Sequence, residues 1–298
     1  MFEKLKANIL FELFLRRRDI NKAYAMVGPE DSWYDTITTV HNSLAKIKQL
    51  PHENWEITSH DGLSLKAVYY PGTSDKTVIW VHGYTSHAER ESAYPGLFYH
   101  SMGFNILVPY LRSHGPSEGK YIAFGALESL DIQKWVDKIN TRNPNGSILL
   151  HGLSMGGGVV LDLAATEMKN VKCLLADAPT VSIADSFRGM AGLVFKKKSE
   201  PVLPFLFERF KKQFGFDVND FDALQIIREC RYPLLLSAGS MEPHGEVFEQ
   251  LRKYNPMDTT VVILPGCNHG NGMYKQTEMY QTAIKDFIDR FMNGESYV

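Results

Sequence analysis

The 298-residue chain is long enough to bury a large core, as one elaborated domain or as two small ones. Its composition, 44% hydrophobic and 22% charged, is that of an ordinary globular protein, and 32 basic against 34 acidic residues leave a formal net charge of −2. No global field would draw such a chain to DNA, RNA or an anionic surface, so a nucleic-acid partner is excluded at the outset.

Residues 1–50 read as an N-terminal helical extension. Phe2, Leu5, Ile9 and Leu13 recur at helical spacing and predict an amphipathic helix that packs on its own protein. Attachment of this helix to a membrane surface is the second reading. The stretch 7–15 is apolar except for Asn8 and Glu12 and runs into Arg16-Arg17-Arg18, unlike the apolar region and small-residue cleavage site of a signal peptide. No run of 18 apolar residues suggests a spanning helix. Gly28-Pro29 is a turn signal, and Pro51 closes the extension.

Two short strands, 55–59 and 64–70, flank His60-Asp61-Gly62, where Asp-Gly is a hairpin signal. Apolar strands at 77–81, 104–108, 147–150, 171–176, 233–238 and 260–264 then alternate with helical patterns at 93–102, 126–139, 156–168 and 274–291. Continuous apolar strands separated by helices predict an α/β fold with a mainly parallel sheet covered on both faces. The core is accordingly split into a first part, 51–178, and a second part, 233–298.

Between them, 179–232 breaks the alternation. It reads as a helical cap or lid insertion rich in phenylalanine, and its Lys196-Lys197-Lys198 run is a solvated face. Cys173, Cys230 and Cys267 are odd in number, widely spaced and free of CxxC pairing. They fit a reducing compartment, and a cytoplasmic location is expected. Cys267 is read as an apolar loop filler, not a reactive thiol.

The segment 147–158, SILLHGLSMGGG, joins a strand to a helix through Gly152-Leu153-Ser154-Met155-Gly156. A serine on so sharp a turn needs neighbours without bulk two positions to either side, and glycine stands at both. The turn exposes the hydroxyl beside a helix N-terminus, where negative charge is favoured.

Three further motifs accompany this one: His82-Gly83-Tyr84 after a strand, Arg112-Ser113-His114-Gly115-Pro116-Ser117 after the next, and Gly266-Cys267-Asn268-His269-Gly270 near the end. With them, 55–292 resembles the α/β-hydrolase superfamily, particularly its compact bacterial esterase-like serine hydrolases. The resemblance implies Ser154 as nucleophile, His269 as base, and the backbone N–H groups of Tyr84 and Met155 as an oxyanion hole. The family places an acid shortly after the strand that precedes the histidine strand, and there Gly239-Ser240-Met241-Glu242 offers Glu242 where Asp is usual. Asp177 is the alternative acid, with Asp217, Asp220 and Asp222 in the insertion behind it. His82, His87 and His114 are read as structural, and no HxH or HExxH spacing points to a metal.

The resemblance implies hydrolysis of a carboxylic ester through an acyl-enzyme, with no cofactor and no metal. The substrate is a small molecule with an apolar moiety, suggested by the insertion's aromatics. A small-residue aminopeptidase, a thioesterase and a non-catalytic scaffold on the same fold are the alternatives.

Overall fold

Strand β5 (Ser147–Leu153) is buried along almost its whole length, as a strand must be when helices cover both faces of its sheet. The computed structural model describes residues 2–18 and 33–293. It sets β5 inside an eight-stranded sheet with β1 (Glu53–Thr58), β2 (Ser64–Tyr70), β3 (Lys76–Val81), β4 (Asn105–Pro109), β6 (Val171–Asp177), β7 (Leu234–Gly239) and β8 (Thr259–Leu264). The strand order is β1-β2-β4-β3-β5-β6-β7-β8. The β1–β2 hairpin turns through His60-Asp61-Gly62 as expected, β2 also pairs antiparallel with β4, and every later pairing is parallel. This is the α/β-hydrolase fold.

Side chains alternate between two cores. Ile79, Leu150 and Leu174 face one side, where α4 (Glu128–Arg142), α5 (Met155–Asp162) and α9 (Gly245–Tyr254) pack. Val78, Leu149 and Leu175 face the other, against α3 (Ala88–Ser101) and α11 (Thr277–Met292). Each fully buried Leu, Ile or Val contributes about 1.5–3 kcal/mol relative to exposure.

Several boundaries differ from the expected ones for local reasons. Helix α3 starts five residues before the predicted 93, because the His87 side chain accepts the Arg90 N–H and caps it there. The final helix is broken at Gln276, whose backbone is not helical, leaving the short α10 (Gly272–Lys275) ahead of α11. Helix α5 ends at Asp162 rather than near 168.

The N-terminal region departs further from the expected packing. Helix α1 (Phe2–Leu15) forms, but Phe2, Leu5, Ile9 and Leu13 point outward, 68%, 56%, 53% and 43% exposed. Ala7, Leu10, Phe11 and Leu15 are the buried set. The helix is apolar on both sides, so spacing alone could not choose between them. Aromatic partners make the choice: Phe11 meets Tyr121 and Phe214 with ring centroids 5.1 and 6.1 Å away. Phe214 ends α7 (Leu203–Phe214), which with α6 (Ile183–Phe195) and α8 (Ala223–Ile226) fills the stretch between β6 and β7. A further helix, α2 (Ile37–Ile47), lies on α3. The expected Gly28-Pro29 turn lies outside the described residues. Among the described residues no helix is long and apolar enough to cross a membrane.

Candidate active site

Parallel strands deliver their carboxyl ends to one edge of a sheet, where open α/β folds bind ligands. The register fixes which residues meet there. Val81 pairs with Gly152, Leu153 with Asp177, Asp177 with Ser237, and Gly239 with Leu264. The loops after these strands therefore bring His82-Gly83-Tyr84, Ser154, Glu242 and His269 to a common edge.

Ser154 sits between β5 and α5 at φ +58°, ψ −118°, a left-handed conformation costly for any residue with a side chain. Its N–H donates to the Asp177 carbonyl at 2.8 Å, and its carbonyl accepts from Thr180 and Gly158 at 3.0 Å, so the strain is held by backbone bonds on both sides. A Cβ at Gly152 would overlap the Gly156 carbonyl, and one at Gly156 would overlap the Val81 carbonyl. The two glycines are required by this close approach of three chain segments.

His269 Nε2 lies 2.8 Å from Ser154 Oγ, and its Nδ1 lies 2.6 Å from Glu242 Oε1. With Nδ1–H donating to the carboxylate, Nε2 is left to accept the serine proton. The hydrogen bond to Glu242 is the main cause of an imidazole pKa above its usual 6.5. Burial pushes the Glu242 carboxyl up, but the His269 hydrogen bond and charge outweigh it and hold the pKa below the usual range. Its second oxygen accepts from the Gly239 N–H at 3.1 Å, which fixes the longer glutamate arm.

Asp177 is close by but differently engaged. Its buried carboxyl interacts with the Ser237 and Tyr280 hydroxyls, and burial raises its pKa to about 7. Asp217 and Asp222 cap short helical turns through Asn219 and Leu224, and Asp220 pairs back to the Asp217 N–H.

Tyr84 lies in the loop after β3 and Met155 at the first position of α5. Met155 opens α5, so its N–H is among the unpaired donors of a helix N-terminus. Gly83 is packed so tightly against the serine turn that an added Cβ would stand 3.3 Å from Ser154 Cβ. The other histidines hold this loop. His82 is buried between the Gly83 carbonyl and the Leu111 N–H, at 2.8 and 3.1 Å, and His114 Nε2 accepts the Thr85 N–H at 3.2 Å. Burial lowers the pKa of both rings, keeping them neutral. Cys267 is buried with its thiol pKa raised, consistent with a loop filler.

Glu91 escaped the sequence reading. It accepts from Trp80 Nε1 at 3.0 Å and from the Gly83 N–H at 3.1 Å, and burial pushes its carboxyl up to about 7. Its only sequence signal was a position eight residues past a glycine turn, which specifies no contact.

A cavity of about 370 Å³ opens on Ser154 and His269. Trp33, Ile37 and Val40 line it from the N-terminal region, and Trp80, Leu153 and Tyr274 from the core. No residue of α6, α7 or α8 is among its lining. The expected origin of the apolar pocket differs: the phenylalanines between β6 and β7 pack on one another and on α1, and α2 supplies one wall. Among the described residues no cluster of His, Cys, Asp and Glu could hold a metal ion.

Known proteins share this architecture. Residues 72–219 match the family described as serine aminopeptidase, S33, a span that contains Ser154 but stops before Glu242 and His269. The chain is 24% identical over 254 residues to the uncharacterized protein YqkD of Bacillus subtilis, covering 84% of this chain and 83% of the relative. An esterase from Pyrococcus furiosus superposes with a TM-score of 0.65 at 26% identity, over 83% of this chain and 93% of that one. An α/β hydrolase from Vibrio vulnificus, 20% identical with a TM-score of 0.61, shares the fold over 96% of this chain and 93% of its own. Matched by this family and superposing on these solved hydrolases, the chain belongs to the α/β-hydrolase superfamily.

Proposed function

We propose that this hydrolase cleaves carboxylic esters through an acyl-enzyme on Ser154. The observation that carries the reading is the unbroken hydrogen-bond line from Ser154 Oγ through His269 to Glu242. Ser154 Oγ attacks the carbonyl carbon as its proton passes to His269 Nε2, and the imidazolium then protonates the departing alkoxide. Water, deprotonated by His269, attacks the acyl-enzyme. The tetrahedral intermediate collapses with the proton returning to Ser154. Glu242 holds the imidazole in the accepting tautomer and offsets its charge. The Tyr84 and Met155 N–H groups receive the developing oxyanion, each contributing roughly 3–4 kcal/mol.

The apolar cavity beside Ser154 supports an ester with an apolar acyl or alkyl group. Turnover of p-nitrophenyl esters of increasing chain length tests this. The reading expects hydrolysis that vanishes in Ser154→Ala and favours chains beyond acetate. The helices between β6 and β7 would act as a cap over α1 rather than as the pocket wall.

The match to a serine aminopeptidase family, together with the Glu91 carboxyl at the cavity, favours an aminopeptidase as the second reading. Faster turnover of aminoacyl anilides than of every ester would select it.

A further inference from the structure

A helix that is apolar on both sides usually buries both, either in protein or in lipid. Helix α1 buries one. Its outward ridge of Phe2, Leu5, Ile9 and Leu13 is extended by Leu193 and Val194 near the end of α6, themselves 81% and 41% exposed. The two stretches are neighbours: Lys6 Nζ stands 4.5 Å from the Phe2 ring and 5.3 Å from the Phe195 ring. Large exposed apolar side chains gathered on neighbouring elements mark an interaction site rather than ordinary surface.

The charge around the ridge says what covers it. Lys4 and Arg18 flank it on the helix side, and Lys196, Lys197 and Lys198 directly follow Phe195; all are exposed. The acids within α1 are already occupied, Glu3 by Lys6 and Glu12 by Arg16. Apolar side chains rimmed by bases form the pattern of a helix that lies in the plane of a bilayer interface. A second copy fits less well, because a two-fold contact would set each basic rim near its own duplicate.

We propose that the outward face of α1, with the end of α6 and Lys196-Lys197-Lys198, docks on a membrane surface containing acidic phospholipid. The apolar side chains enter the headgroup region and the bases pair with lipid phosphates and carboxylates. The net charge of −2 is no obstacle, since screening limits the relevant field to about 10 Å around the patch. At its far end α1 is tied to the cavity, since the Tyr84 hydroxyl donates to the Phe14 carbonyl and Tyr84 lines the cavity wall. Docking would therefore hold the candidate active site close to the bilayer. The inference does not depend on the chemistry assigned to Ser154, and Ser154→Ala should dock as the native chain does.

Flotation of the full chain with vesicles tests it. Native protein is expected to float with phosphatidylcholine vesicles containing about 30% phosphatidylserine, and far less with phosphatidylcholine alone. Leu5→Asp/Ile9→Asp should cut the floated fraction about tenfold or more. Lys196→Glu/Lys197→Glu should weaken binding to the acidic vesicles alone, and raising salt to about 0.5 M should do the same to the native chain. If Leu5→Asp/Ile9→Asp melts earlier than the native chain, Leu193→Asp/Val194→Asp carries the same test. The proposal is overturned if native protein stays unfloated with both vesicle types. It is also overturned if native protein and the ridge variants float equally. Absence of flotation combined with a sedimenting dimer that Leu5→Asp/Ile9→Asp dissociates would assign the ridge to a second copy instead.

Discussion

Glu242 Oε1 lies 2.6 Å from His269 Nδ1, while Asp177, one strand nearer the serine, spends its carboxyl on the Ser237 and Tyr280 hydroxyls. The division follows from the strand ends. Asp177 is the last residue of β6 and lies within the sheet edge, whereas Glu242 is three residues past β7 and can reach the outer loop of His269. Removing each carboxyl should therefore have unequal effects. Glu242→Ala is expected to lower kcat for an ester by about 10³–10⁴-fold, the scale of losing the residue that orients a catalytic histidine. Asp177→Asn should leave kcat within about tenfold. Steady-state turnover of the purified variants measures both, and the reverse ranking would transfer the role to Asp177.

The pH profile follows from the raised His269 pKa. A base must be neutral to accept the serine proton, so kcat/KM should fall as pH drops through the histidine pKa. Because Glu242 raises that pKa above 6.5, the acid limb should lie above 6.5 in the native chain. In Glu242→Gln the charge is gone while burial still disfavours the imidazolium, so the limb should move to lower pH. A limb that does not move would separate Glu242 from the base.

Asp177 makes a second pH signature, in stability. Its carboxyl is raised from 3.8 to about 7 by burial. Between those values the folded state keeps a proton that the unfolded state has released, so the contribution to stability declines as pH rises across that window and levels off above it. Asp177→Asn removes this titration. Its stability relative to the native chain should rise with pH over the same window and then stay constant, as read by urea unfolding.

The Arg112 side chain is 3% exposed and its Asp131 partner 1%, joined at 2.7 and 2.8 Å, with Asp61 closing the pair from the β1–β2 turn. Arg112→Met strands the Asp131 carboxylate in the core and should cost about 3–5 kcal/mol in denaturant unfolding. The loop it anchors carries His114, which holds Thr85 beside the proposed oxyanion turn. Loss of kcat should accompany the loss of stability.

Val40 of α2 is nearly buried and lines the cavity. Val40→Trp should fill much of that space, abolishing turnover of long-chain esters while sparing acetate. Equal retention of both would move the acyl site elsewhere.

Much of this was legible in the sequence because it is local. The serine turn declares itself through Gly152 and Gly156, and the parallel sheet through strands that are apolar along most of their length. His269 was proposed from the family resemblance and from its place after the last strand. What escaped depends on contacts between distant segments. The inner face of α1 is selected by Tyr121 and Phe214, more than 100 residues away, against an equally apolar outer face. One pocket wall comes from α2, inside an extension with no motif, and not from the phenylalanine-rich helices that looked the better source. Glu91 was invisible because nothing in its neighbourhood announces that its carboxyl turns back to Gly83 and Trp80. The glutamate in place of the usual aspartate could be positioned by counting from β7, but only the fold shows that its arm spans the gap to His269.

Activation of the Ser154 hydroxyl by His269 is the step on which the proposed hydrolysis depends. Reaction with a fluorophosphonate, followed by mass spectrometry of the digested protein, tests this directly. The expected result is one adduct per chain, on Ser154, formed rapidly by the native protein and orders of magnitude more slowly by His269→Ala. A native chain that stays unmodified, carries the adduct on another residue, or reacts as fast without the imidazole would contradict it.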